Sequence, residues 1–212
     1  MKNIKKLFLC LLVSNFNLLI TKITTPIVWS ILICTLEERQ ELFNTLHNKL
    51  REQIKKLGLK DKIEILYYKD KRGEHTVGFK RNRLLEQSQG KYVSFIDDDD
   101  DVHDDFIQLI YDKLQSNPDC VSLTGIITFN GNNPRKFIHS IRYTNYFEQG
   151  NIYFRPPNHL NPIKRCIAIQ FSFPEKNFGE DTDWALAIAQ SQLLQKEEVI
   201  DIPYYFYLYQ DK

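Results

Sequence analysis

The sequence has no excess of either charge, few cysteines and no long apolar run. Across 212 residues, 28 Lys and Arg face 27 Asp and Glu. The first 25 residues hold four lysines and no acid, so the rest of the chain is net acidic. A nucleic-acid binder carries a basic surplus, and none is present, so no nucleic-acid partner is expected. The four cysteines, Cys10, Cys34, Cys120 and Cys166, lie far apart and form no CxxC pair. That spacing suits buried reduced thiols better than a disulfide framework or a zinc site. The longest apolar stretch, near the N-terminus, is about 14 residues, short of the ~20 that cross a bilayer. No internal repeat occurs, and one run of aspartates is the only low-complexity tract. With 42% hydrophobic and 26% charged residues, the composition excludes collagen-like, disordered and multispan membrane chains. The length fits one domain better than two.

Residues 1–25 stand apart from the rest. Residues 1–6 are basic and 7–13 apolar, with Ser14, Asn15 and Asn17 interrupting before Leu18, Leu19 and Ile20. The pattern fits a signal-like core or an amphipathic segment on a membrane surface. Residues 26–212 are read as the folded domain.

Within that domain, residues 27–35 read as a buried strand. From 38 to 57 the period becomes helical, with Leu42, Phe43, Leu46, Leu50, Ile54 and Leu57 in one stripe and Gly58 closing it. Residues 62–68 are a second strand, 69–76 a polar loop, and a short helix ends at Gly90. Residues 91–96 form a third strand, 104–115 a helix and 120–129 a fourth strand, closed by a turn from Asn130 to Pro134. The alternation predicts an α/β fold with a mainly parallel, doubly wound sheet. The C-terminal third, broken by Pro156, Pro157 and Pro162, is less regular. A helix is expected after Gly179, and residues 198–209 end in an aromatic strand.

Ligands of open α/β sheets bind beyond the carboxyl ends of the strands. Three polar clusters fall there: Thr35–Glu38, Lys69–Arg72 and the run Asp97–Asp101. On extended backbone Asp97, Asp99 and Asp101 share one face, and Asp98 and Asp100 the other. Asp97 and Asp99 are therefore candidates to hold one divalent cation, Mn²⁺ or Mg²⁺, with phosphate oxygens completing its shell. The alternative is a solvated acidic loop before a helix. An EF-hand is excluded because Val102 and Gln108 stand where Gly and Glu are required. A phosphatase DxDx[T/V] motif fails at Asp101, and a P-loop fails because Phe79–Lys80–Arg81 replaces its Lys and Ser/Thr. Lys80, Arg81 and Arg83 crowd a helix start, where the macrodipole disfavours cations. An anionic ligand would relieve that conflict; a solvated basic face paired with Glu74 or Glu86 is the alternative.

Four features occur in order: Cys34–Arg39, Gly78–Asn82, Ile96–Asp100 and Gly179–Trp184. Together they make residues 27–209 resemble family 2 glycosyltransferases of the GT-A fold, with a Rossmann-like sheet and a small irregular C-terminal acceptor part. The resemblance implies metal-dependent transfer of one sugar, with inversion, from a nucleotide diphosphate sugar to a glycan, lipid or protein hydroxyl. A UDP-sugar is the first choice of donor. Thr35, Glu37, Asp70, Lys80, Arg81, Asp97 and Asp98 would then lie along the donor, with Asp70 near the base. Asp97 and Asp99 would hold the metal, and Asp181 would be the catalytic base. Glu180 and Trp184 would meet the acceptor. Plain alternatives stay open: Asp181 as a helix cap, Trp184 as a core anchor, and His159, in a loop where metal or acceptor contact is allowed, as an ordinary surface histidine. Processive members carry a Gln-x-x-Arg-Trp motif, which this sequence lacks. The rival functions are a degenerate domain of the same fold that binds nucleotide or glycan, or a metal-dependent phosphohydrolase. Because nucleotide sugars are made in the cytosol, the implied location is a membrane surface with access to that pool, possible contact being through residues 1–25. A secretory lumen or export is the alternative.

Overall fold

A computed structural model describes residues 26–210; the basic, apolar segment 1–25 lies outside the described residues. The first half alternates as expected: β1 (Trp29–Leu36), α1 (Gln40–Lys56), β2 (Ile63–Asp70), α2 (Val77–Gln87) and β3 (Tyr92–Phe95). There follow β4 (Asp101–Val102), α3 (Phe106–Leu114), β5 (Cys120–Val121), β6 (Leu123–Phe129), β7 (Asn132–His139), β8 (Phe147–Gln149) and β9 (Ile152–Arg155). The chain closes with β10 (Ile163–Lys164), α4 (Arg165–Ala168), α5 (Glu180–Ser191), β11 (Glu197–Glu198) and β12 (Tyr205–Tyr209).

Two six-stranded sheets result, ordered β11-β5-β10-β3-β1-β2 and β4-β12-β6-β7-β9-β8. In the first, β1 runs parallel to both β2 and β3, so their carboxyl ends share one edge. Side chains of β1 alternate between two cores, as a strand covered on both faces requires. Trp29, Ile31 and Ile33 pack with Phe43, Leu46 and Leu50 of α1 and with Phe106, Ile107 and Ile110 of α3. Leu32 packs on the other side with Leu84 and Leu85 of α2 and with Trp184 and Ile188 of α5. This is the doubly wound α/β arrangement that the pattern predicts. The α1 stripe holds except at Leu42, which is 50% exposed. Gly58 closes that helix with φ +68°.

The expected fourth strand divides at Ser122. Cys120 and Val121 stay in the first sheet, whereas β6 passes to the second and pairs with β7 and β12. The expected turn is the tip of a hairpin: Asn130 and Gly131 both have positive φ, 50° and 74°, as a tight β-hairpin turn demands. The returning strand β7 contains Pro134, which argues against a strand from sequence alone. The register shifts between Ile127 and Phe129, so this proline sits opposite an irregularity where no ladder donor is needed.

The acidic run is the crossover between the sheets. It leaves β3 in the first and enters β4, which pairs antiparallel with β12 in the second. The start of α2 docks on the loop before α5. Asn82 Nδ2 donates to Phe173 O at 2.9 Å, and Phe173 N donates to Asn82 Oδ1 at 2.8 Å. Gly78 allows this approach: a Cβ there would lie 1.8 Å from Pro174 O, a backbone atom. Gly78→Ala is therefore expected to cost about 1–3 kcal/mol, read as a Tm fall of ~2–4 °C per kcal/mol for a chain of this size. An unchanged Tm would contradict the contact.

Candidate active site

The ends of β1 and β3, the start of α2 and the loop leading into α5 enclose a cavity of about 460 Å³. Its walls include Thr35, Arg39, Lys80, Arg81, Asp97, Asp98, Asp99 and Glu180. Seven expected site residues thus meet on one cavity. Glu37 does not: it is exposed in a short 3₁₀ turn, Glu37–Arg39, that follows β1.

The five aspartates do different work. Asp98 is buried; its Oδ2 accepts from Thr35 Oγ1 at 2.6 Å and its Oδ1 from Arg39 Nη1 at 2.6 Å. Both oxygens bond within the protein, one of them tying the run to β1 through Thr35, while the residue stays on the cavity wall. Asp100 is also buried and accepts from Tyr205 Oη at 2.7 Å and Leu208 N at 3.0 Å, which ties the run to β12. Asp98 and Asp100 are the buried pair and Asp97 and Asp99 the part-exposed one, but the run is not the extended segment expected: it turns at Asp98 and Asp99, with Asp100 N donating to Asp97 O at 3.2 Å. The inward pair explains part of the run structurally, and Asp97 and Asp99 are left toward the cavity.

Arg81 joins the run to α5. Its Nη2 lies 3.0 Å from Asp97 Oδ1 and its Nη1 2.7 Å from Glu180 Oε1, with the guanidinium buried. Its charged plane lies 5.7 Å from the Phe95 ring centroid and 5.6 Å from that of Phe173. Burial alone would raise the Asp97 pKa, but the Arg81 guanidinium beside it is the largest opposing influence, and the carboxyl is held below the usual range. Lys80 is buried too, its Nζ 2.9 Å from Asp70 Oδ1, while His75 Nδ1 lies 3.3 Å from Asp70 Oδ2. Three expectations change here. The cations at the start of α2 are neutralised by the protein's own carboxylates. Asp70 is a buried anchor for Lys80, absent from the cavity wall, and not an open contact for a nucleobase. Glu180, expected at the acceptor, is committed to Arg81.

Trp184 also differs. It is 2% exposed, stacks on Phe173 at 4.7 Å and 9°, and donates from Nε1 to Phe171 O at 2.9 Å. No face of it is open to an acceptor; it anchors α5 in the core. Asp181, in the first turn of α5, is 28% exposed, and the N-cap position is Gly179 with φ 73°. Its Oδ2 lies 3.6 Å from Nδ1 of His159, whose Nε2 lies 3.5 Å from Asp97 Oδ2. His159, read from sequence as a surface residue, is 4% exposed. Asp181 is absent from the cavity wall itself and adjoins it through Glu180 and His159. Burial and then the Asp181 charge push the nearby Tyr146 phenol up to about 12.

The donor set suits a hard divalent cation. Asp99 is 41% exposed. Burial raises its carboxyl, and Asp97 and Asp98 raise it further against the lowering by Arg39. Arg39 Nη1 lies 3.0 Å from Asp99 Oδ2, yet burial keeps the carboxyl raised, and a divalent cation on its oxygens would favour the ionised form. A separate trio, Asp70, Glu74 and His75, brings its ligand atoms within 4.8 Å of one another, but Lys80 already supplies a cation to Asp70.

A wall of carboxylates lies beyond the carboxyl ends of parallel strands, joined by a buried arginine to an acidic helix start, on a Rossmann-like sheet of the GT-A type. The model of glycosyl transferase family 2 matches residues 49–178, more than half of the chain, and the chain belongs to that family. The match ends just before Gly179, so Glu180 and Asp181 lie beyond it. Crystal structures of S. aureus TarS 1-349 share the fold. The first covers 86% of this chain at 15% identity with a TM-score of 0.57. The complex with UDP covers 86% at 15% identity and TM-score 0.58, and the complex with UDP-GlcNAc 88% at 14% and 0.57. The alignment spans 60% of each TarS chain. No curated protein is a significant match.

Three cysteines fall among the described residues, and all are free: Cys120 buried, Cys34 half-buried and Cys166 exposed. Burial pushes the Cys34 thiol up to about 12, and Asp97 and Asp98 add to it against Arg81 and Lys80. At pH 8 the reactive thiolate is scarce at Cys34. Iodoacetamide is therefore expected to label Cys166 well before Cys34, read by peptide mass spectrometry. Equal labelling rates would contradict the environment described for the cavity floor.

Proposed function

We propose that this protein is an inverting, metal-dependent glycosyltransferase that moves one sugar from a nucleotide diphosphate sugar to an acceptor hydroxyl. The observation that carries this reading is Arg81, which binds Asp97 on the donor side and Glu180, next to Asp181, on the other. Family membership and the shared fold support the reaction class. The UDP and UDP-GlcNAc complexes of TarS make a UDP-sugar the first donor to try. The acceptor class is a glycan, lipid or protein hydroxyl.

In this reading the diphosphate occupies the cavity beside Asp99. A divalent cation, Mn²⁺ or Mg²⁺, held by Asp99 with Asp97 would offset the charge on the leaving diphosphate. Arg81 holds Asp97 ionised and toward the cavity, and Arg39 and Thr35 fix the backbone of the run through Asp98. Asp181 takes the proton of the acceptor hydroxyl as that oxygen bonds to the anomeric carbon. The bond from that carbon to the diphosphate oxygen breaks on the opposite face, and the nucleotide diphosphate leaves with the electron pair. One displacement inverts the configuration. No helix among the described residues is long and apolar enough to cross a membrane. We place the enzyme at a membrane surface, through residues 1–25, with access to cytosolic donor.

The test is a panel of nucleotide sugars with Mn²⁺, with water or added glycosides as acceptors. Wild type is expected to release nucleotide diphosphate, and a chelator to stop it. Asp181→Asn is expected to lower turnover by about 10²–10⁴-fold, while UDP still raises its Tm. Full turnover by Asp181→Asn would remove the base assignment. Nucleotide binding with no turnover by wild type on any donor would favour a degenerate binding domain.

A further inference from the structure

His159 lies in the segment between β9 and β10, where residues 156–162 are all buried. The segment is held from several sides. Phe95 N donates to His159 O at 2.7 Å, extending β3. Asn161 Oδ1 accepts from Asn158 N at 3.0 Å, and Asn161 Nδ2 donates to Val121 O at 2.9 Å. Such a loop presents its side chain in one orientation. That orientation inserts the imidazole between the acidic run and α5.

The hydrogen on the ring can be assigned from its neighbours. Arg81 Nη2 lies 3.0 Å from His159 Nε2. A guanidinium only donates, so Nε2 accepts, and the ring hydrogen resides on Nδ1. Asp97 Oδ2 is farther from Nε2, at 3.5 Å, and the shorter contact decides. Nδ1 is buried, makes no hydrogen bond within the described protein, and has Asp181 Oδ2 at 3.6 Å. A buried donor facing a carboxylate at that distance closes to a hydrogen bond with a small side-chain adjustment, as catalytic contacts do when substrate binds.

We infer that His159 is a positioning residue for Asp181: Arg81 fixes its tautomer through Nε2, and its Nδ1–H orients the Asp181 carboxylate toward the acceptor. This rests on the reading of Asp181 as the base. The proton stays on His159 throughout; the ring orients and does not transfer. The consequence is that the donor side and the base are set by one chain of contacts, Asp97–Arg81–His159–Asp181. The base is then correctly aimed only when the acidic run is in place.

Two measurements test it. Ring ¹⁵N NMR of the wild-type chain is expected to show His159 protonated at Nδ1; protonation at Nε2 alone overturns the inference. The second compares His159→Asn, whose amide nitrogen takes the place of Nδ1, with His159→Gln, whose amide oxygen takes the place of Nε2. The assay is Mn²⁺-dependent hydrolysis across UDP-sugars, UDP-N-acetylglucosamine first, with water as the acceptor. His159→Asn is expected to keep most of kcat and His159→Gln to lose about 10²-fold, with the donor KM of both near wild type. Damage to the fold would strike both amides alike, so the difference between them isolates the Nδ1 contact. Equal kcat in the two variants, or a loss confined to donor KM, overturns the inference. Asp181→Asn separates the two readings. If it loses turnover while the histidine variants match each other, only the positioning role falls. If it keeps turnover, or wild type hydrolyses no nucleotide sugar of the full panel, both fall.

Discussion

The site depends on one buried guanidinium. Arg81 lies between Asp97, Glu180 and His159, three residues from three separate stretches of chain. Taking such charges out of water is costly, and deleting one partner of a buried pair typically costs ~3–5 kcal/mol because the other charge is stranded. Against that cost Arg81 sets two carboxylate partners and two aromatic rings. The same contacts that stabilise it bring the donor wall and the α5 terminus together. Structure and chemistry here rest on the same atoms.

The acidic run shows how a functional cluster is made tolerable. Five adjacent carboxylates repel, yet the run is also the passage from one sheet to the other. Asp98 is bonded back to β1 through Thr35 and Asp100 forward to β12 through Tyr205. Those inward residues pin the backbone so that Asp97 and Asp99 reach the cavity from a fixed base. Lys49, 2.9 Å from Asp101, and Arg39 take up part of the remaining charge. Asp99 keeps a raised carboxyl pKa, chiefly because burial disfavours its charged form, with Asp97 and Asp98 adding to that against Arg39.

Much of this was legible in the sequence where period and position coincided. Alternating apolar strands and one helical stripe gave the first half of the sheet, and the polar ends of β1 and β3 located the cavity. What pairing adds was not legible. Lys80 and Arg81 read as a phosphate cradle because none of their carboxylate partners lies on their own helix: Asp70 ends β2, Asp97 follows β3, and Glu180 is 99 residues away. Trp184 could be an acceptor platform or a core anchor, core being the commoner fate of a helical tryptophan, and the stacked Phe173 decides for the core. His159 sat in a proline-rich stretch that reads as surface loop. The one available cue was that Asn158 and Asn161 flank it, residues that satisfy a loop's own backbone and let it be buried. β7 was hidden by Pro134, which the irregularity in its ladder accommodates.

The most direct measurement is the position of a nucleoside diphosphate, as UDP with Mn²⁺, in a crystal of the protein. The account predicts the diphosphate in the cavity between Asp99 and the start of α2, with the cation on Asp99 and the Arg81 contacts to Asp97 and Glu180 intact. Nucleotide seated instead behind α2, in the cavity of about 460 Å³ lined by Phe79, Asn82 and Arg165, would contradict it.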